Sequence, residues 1–164
     1  MAKKPSASAK AEWWFYHIER GSLESALGPL LEKCLERGWR VVITGKDDTL
    51  EHLDEKLWTW RDDSFLPHAL IKTKGGKSDP AAQPILLSSE AKPANGAKVA
   101  MLLNGSEADA SKFDRCIVVF EGSDEAARSA ARSQYKAASE SGAAARYFQQ
   151  DAQGAWSEWQ PKKN

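Results

Sequence analysis

The chain has 164 residues, and its 23 Lys and Arg balance 23 Asp and Glu, so the formal charge at pH 7 is zero. That length suits one domain with a substantial core. The neutral balance argues against general affinity for nucleic acid, which needs a basic surplus, and no apolar run approaches the ~18 residues of a membrane span.

Residues 1–11 (MAKKPSASAKA) are basic and small but lack an apolar h-region, so they do not read as a secretory signal. A disordered lead-in is expected there, then a single domain over residues 12–160, a short tail over 161–164, and a cytoplasmic location. Two cysteines, Cys34 and Cys116, sit inside apolar patterns and read as reduced core thiols.

The first strand is expected over residues 12–18, EWWFYHI, which is rich in aromatics. Gly21-Ser22 ends it, with Ser22 placed as a helix N-cap. Leu23, Ala26, Leu27, Leu30, Leu31, Cys34 and Leu35 then recur at helical spacing. Pro29 interrupts this pattern as a bend or a delayed start, and Gly38 stands in the C′ position. RVVIT, residues 40–44, is continuous and β-branched, as in a buried parallel strand.

A second helix is expected over residues 49–60, with Leu50, Leu53, Leu57 and Trp60 on one face and Trp58 at its edge or outside it. Residues 61–67 leave the helix, and Gly75, Gly76, Pro80 and Pro84 mark residues 72–84 as a flexible loop. Short strands follow at 85–88, 98–103 and 116–120. Between the first two, Asn95-Gly96 is the strongest hairpin signal in the chain.

The third helix is expected from an N-cap at Ser123, with Asp124 and Glu125 facing the positive end of its dipole, to Gly142. Its apolar positions are mostly alanine, which lets a helix lie close to a sheet. A final hairpin turns around residues 151–154. The whole predicts an α/β fold: a Rossmann-like, mixed, mainly parallel sheet with helices on both faces and a C-terminal hairpin.

Most enzyme signatures are missing. Gly75-Gly76-Lys77-Ser78 resembles the end of a phosphate loop, but Ile71 stands where its first glycine belongs and Asp79-Pro80 follows where a helix should begin. No GxGxxG follows the first strand and no GxSxG occurs. His17, His52 and His68 are scattered, so neither a metal site nor a cofactor is expected.

Two constellations remain. Arg128, Arg132, Tyr135 and Lys136 fall within about 100° of one another on the third helix. Spacing alone suits an ordinary solvated face. The one-signed charge points further, because Glu140 is the first acid downstream and reaches only Lys136. Arginine takes a carboxylate through paired N–H bonds, lysine adds a point charge, and tyrosine adds an aromatic wall with a polar tip. A short acidic peptide with an apolar end suits this surface, and so does a phosphate. The second constellation is Trp58 and Phe65, large apolar residues where a loop leaves a helix; they are either interface anchors or core residues folded back. Trp13, Trp14, Trp39, Trp156 and Trp159 read as core or partly buried strand residues.

With these residues placed, the chain resembles the chi subunit family of bacterial DNA polymerase III. The likeness rests on FYHIER, GWRVVI, LDEKLWTWRDDSFLPHAL (residues 53–70) and RSQYKAASESG (residues 132–142), in that order and spacing. It implies a Rossmann-like fold without nucleotide chemistry and a non-catalytic adaptor of the clamp-loader complex. It also implies binding of the acidic, phenylalanine-ended C-terminal tail of the single-stranded-DNA-binding protein by Arg128, Arg132, Tyr135 and Lys136. Arg128 stands where the family has a familiar lysine. Trp58 and Phe65 align with the family surface that meets the psi subunit or a competing helicase-like protein. The chain departs from the family at Glu121-Gly122, over residues 72–84 and after Gly142. The reading from another class is a small α/β enzyme that binds a nucleotide or phosphate on the same cationic helix face.

Overall fold

The computed structural model describes residues 11–60, 66–71 and 83–159. In chain order these form β1 (Glu12–Ile18), α1 (Leu23–Glu36), β2 (Val41–Thr44), α2 (Asp47–Lys56), β3 (His68–Leu70), β4 (Ile85–Leu87), β5 (Val99–Leu102), a 3-10 turn (Ala110–Lys112), β6 (Arg115–Glu121), α3 (Glu125–Glu140), β7 (Ala145–Gln150) and β8 (Trp156–Trp159). The strands make one eight-stranded sheet ordered β3-β4-β2-β5-β6-β1-β7-β8. Every neighbouring pair is parallel except the antiparallel hairpin β7–β8. Leu27 and Leu31 of α1 and Leu50 and Leu53 of α2 bury against one sheet face with Tyr16, Ile43, Met101 and Val119. Ala127 and Ala131 of α3 bury against the other with Phe15, Val42, Val118 and Phe120. The α/β architecture, the helices on both faces and the terminal hairpin agree with the sequence pattern.

Local signals account for the helix ends. Ser22 and Ser25 form a reciprocal capping box, with Ser25 N donating to Ser22 Oγ at 3.2 Å and Ser22 N to Ser25 Oγ at 3.0 Å. Helix α1 runs through Pro29, which is exposed, so the Ser25 carbonyl that loses its helical donor faces the wet side. Gly38 (φ +75°) and Gly142 (φ +86°) close α1 and α3 with the same pair of bonds. Trp39 N donates to Cys34 O and Gly38 N to Leu35 O; Ala143 N donates to Ala138 O and Gly142 N to Ser139 O. Cys34 and Cys116 are free and buried on opposite sheet faces. Burial pushes their thiols up to about 11 and about 12.

Four expectations need correction. Asn95-Gly96 does not turn a hairpin, because β4 and β5 flank β2 and both run parallel to it. Asn95 is instead buried, and its Nδ2 donates to Val41 O and Gln83 O, tying the connection under the sheet end. Helix α2 starts at Asp47 and stops at Lys56. Its entry is fixed by Asn104, whose Oδ1 accepts from Lys46 N at 3.0 Å across a long sequence separation. Helix α3 is capped by Asp124, whose carboxylate accepts from Ala127 N, in preference to Ser123; an anion gains more at the positive helix end. The short parallel strand β3 has no counterpart in the expected elements. The expected loop over residues 72–84 falls almost wholly outside the described residues, with the Gly75–Ser78 segment inside that part.

Trp60 folds back onto α1 and fills the space beside Gly28: a Cβ there would lie 2.5 Å from the indole ring. Ala exceeds Gly by about 1 kcal/mol in helix propensity, but overpacking against a ring costs about 1–3 kcal/mol. Gly28→Ala is therefore expected to lower stability, read as a lower urea midpoint at unchanged slope. A raised midpoint would show that Trp60 does not seat there.

Candidate functional site

Helix α3 buries Ala127, Ala131 and Ala138, so its backbone lies close to the sheet and its outer positions are displayed at fixed height. The loop after β5 steadies it: Gln134 Nε2 donates to Ser106 O at 3.0 Å. Arg128, Arg132, Tyr135 and Lys136 all lie on this helix, as the spacing requires. Arg128 is half-buried and makes a loose contact with Glu125 at 3.9 Å. Arg132 and Lys136 are exposed and make no ion pair among the described residues, Glu140 included. Two adjacent like charges without a neutralising acid are mutually unfavourable, and an incoming anion relieves that repulsion.

Tyr135 is half-buried. Its ring meets Phe15 of β1 edge-on at 5.4 Å and Tyr147 of β7 at 6.1 Å. Tyr147 in turn meets Trp159 of β8 at 5.9 Å. Arg132, Tyr135, Tyr147, Gln149 and Trp159 line a cleft of about 340 Å³. The cationic stripe therefore runs into an open aromatic pocket, which suits an anion joined to an apolar group. Trp159 is 44% exposed, so it belongs to this surface rather than to the core. The alternation along β7 puts Tyr147 and Gln149 on one face, but sequence alone does not tell which face α3 covers.

His17 adjoins the site. Its Nδ1 lies 3.0 Å from Tyr147 Oη, and its ring packs on Phe120. It lines a second cavity with Glu121, Gly122 and Arg128. A Cβ on Gly122 would collide with the imidazole, so glycine there makes room for His17. Burial lowers the His17 pKa first, and Arg128 and Arg132 lower it further against the opposing pull of Glu19. His17 thus adds an aromatic neighbour rather than a further cation at neutral pH. Burial likewise raises the Tyr147 pKa, leaving its hydroxyl protonated.

Trp58 lies far away, beside β3 at the opposite edge of the sheet. It is 47% exposed and packs on the buried His68 ring at 4.1 Å. His68 is fixed by Leu66 O at 2.6 Å and Asp54 O at 2.9 Å. Phe65, the expected partner of Trp58, lies outside the described residues. Among the described residues no group of His, Cys, Asp and Glu could hold a metal ion, and no helix is long and apolar enough to cross a membrane.

A family model described as DNA polymerase III chi subunit, HolC, matches residues 11–146, which include the stripe and Trp58. "Probable DNA polymerase III subunit chi" of Rickettsia prowazekii (strain Madrid E) is 32% identical over 95 residues, 56% of this chain and 54% of that protein. The chain thus spans about half the length of that relative. Tyr147, Gln149 and Trp159 lie beyond the residues that the family model matches.

The proximity of His17 to the stripe is checked by NMR titration. Its imidazole is expected to titrate below the ordinary histidine value, and Arg132→Ala to raise that pKa. The linked stability has a sign. The unfolded chain takes up this proton more readily, so the contribution is complete above the unfolded value of 6.5 and falls away as pH drops below it. A His17 pKa unmoved by Arg132→Ala would separate the two groups.

Proposed function

The chain belongs to the DNA polymerase III chi subunit family, and from that premise we propose that it is a non-catalytic DNA replication adaptor. It links the clamp loader to the single-stranded-DNA-binding protein by holding that protein's acidic C-terminal tail. The observation that carries this reading is the exposed pair Arg132 and Lys136, without an ion-pair partner among the described residues, beside an aromatic cleft. Tail carboxylates meet Arg128, Arg132 and Lys136, and the terminal phenylalanine enters the cleft of Tyr135, Tyr147 and Trp159. Each charge-assisted bond contributes about 1.5–3 kcal/mol before the ordering of the tail is subtracted. The protein works in the cytoplasm without a cofactor, and the zero net charge speaks against direct capture of DNA.

Trp58 supplies a second docking point, for a psi subunit, another clamp-loader component or a helicase-like protein. Its place by β3, across the sheet from the β7–β8 edge, supports simultaneous use of both surfaces. The rival reading, a nucleotide- or phosphate-binding enzyme, meets an electrostatic objection. The two crevices near the carboxyl ends of β1 and β6, where an open α/β sheet commonly takes its ligand, are lined by more acids than bases: Glu19, Glu24, Asp48 and Glu121 against Arg128 and His52.

Arg132→Ala is expected to weaken binding of a fluorescent acidic peptide ending in phenylalanine at least about tenfold, or ~1.4 kcal/mol. Unchanged anisotropy would remove this site. Affinity should fall as salt rises. Trp159→Ala should weaken that peptide but not one whose final phenylalanine is alanine, and Trp58→Ala should leave both affinities alone. A thermal-shift screen in which nucleotides stabilise the protein and the peptide does not would favour the enzyme reading.

A further inference from the structure

A cavity of about 370 Å³ lies on the other sheet face, between the C-terminal half of α1 and the terminal hairpin. Trp14, Tyr16, Phe148 and Trp156 form its aromatic wall. Tyr16 stacks on Phe148 at 4.6 Å and meets Trp156 edge-on at 5.1 Å. Trp39 stands 6.4 Å from Trp14, and the Arg115 guanidinium lies over both indoles, at 4.3 Å and 5.2 Å. These rings are held by one another and by three cations, since Arg37 also lies 4.9 Å over Trp39 and Arg146 lies 5.2 Å over Phe148.

The charge at the rim is lopsided. Arg146 and Glu158 satisfy each other through two bonds, at 2.7 Å and 3.1 Å. Lys33, in the last turn of α1, and Arg37, its C-cap, line the cavity and have no acidic partner among the described residues. The negative end of the α1 dipole favours a cation there, but two side by side exceed what it neutralises. Tyr16 is only 7% exposed. Its hydroxyl has no hydrogen-bond partner among the described residues, in the wall of a cavity that a ligand can enter. The oxygen is not sealed from the cavity, so it can donate to a molecule that enters there. Burial pushes its pKa up to about 12, and the hydroxyl stays a donor throughout the neutral range.

We propose that this cavity is a second binding site, for a small planar aromatic molecule carrying an anionic group. The ring packs on Trp14, Phe148 and Trp156, Lys33 and Arg37 take the anion, and Tyr16 Oη donates to an acceptor on the ligand. Both a phosphate ester of a nucleoside and an aromatic carboxylate have this chemistry. The site is independent of the α3 stripe, from which the sheet separates it.

The test uses the full chain and two probes, adenosine monophosphate and N-acetylphenylalanine, read by the tryptophan indole N–H signals in NMR. At least one probe is expected to shift Trp14, Trp39 and Trp156 while Trp58 stays in place; a shift of Trp159 with N-acetylphenylalanine reports the α3 cleft and is the part that Arg132→Ala removes. A response to the nucleotide alone identifies a phosphate ester, and a response to the carboxylate alone identifies an aromatic acid. The double variant Lys33→Glu, Arg37→Glu changes exposed residues and should weaken binding at least about tenfold. Tyr16→Phe should weaken it severalfold in a protein with unchanged spectra, and Arg132→Ala should not affect it. The proposal fails if neither probe moves the Trp14, Trp39 and Trp156 signals, if the charge reversal leaves the affinity unaltered, or if Arg132→Ala abolishes their shifts.

Discussion

Strand β1 is the member on which the rest depends. It lies inside the sheet, paired in parallel with β6 on one edge and β7 on the other, so its side chains alternate between two covered faces. Phe15 and His17 point to the α3 side, where Tyr135 and Tyr147 pack against them. Trp14 and Tyr16 point to the α1 side, where Phe148 and Trp156 close over them. A one-residue slip would exchange the two sets and place Phe15 among the α1 contacts. Both clefts described above are built on this single alternation, one on each face.

The terminal hairpin completes both clefts. Tyr147 and Trp159 are cross-strand partners on the α3 side, whereas Phe148 and Glu158 are partners facing α1. Pairing across an antiparallel ribbon therefore carries an aromatic wall to each face. The hairpin lies almost entirely past the residues matched by the chi family model. What distinguishes this chain's clefts is thus concentrated in a segment the family pattern does not cover, added to a shared parallel sheet.

A neutral chain can still recognise anions if its charge is sorted in space. Here Arg132 and Lys136 stand together on α3, and Lys33 and Arg37 on α1, while Glu24, Asp48 and Glu121 gather around the carboxyl-end crevice. Arg128 borders the carboxyl-end region where an α/β sheet usually takes a nucleotide, whereas Arg132, Lys136, Lys33 and Arg37 do not line the crevices there. Trp58, at the far sheet edge, is separated from all three.

Local chemistry was readable without the fold. Leucine spacing defined α1, Gly38 and Gly142 marked helix ends, and the i, i+4, i+7, i+8 positions of Arg128, Arg132, Tyr135 and Lys136 placed them on one stripe, because a helix repeats within a few residues. The continuous apolar runs at β2 and β6 announced buried parallel strands for the same reason. Contacts between distant segments were not readable. Asn95-Gly96 has hairpin chemistry, yet Asn95 bonds to Val41 and Gln83, and strand order prevails over the local turn preference. Asn104 sets the entry to α2 from far along the chain, as no neighbouring residue could reveal. Above all, the sequence determined that α3 carries a cationic stripe with a tyrosine. Only the tertiary structure brought Tyr147, Trp159 and His17 beside it, because strand pairing and face assignment depend on partners more than a hundred residues apart in the case of His17 and Tyr147.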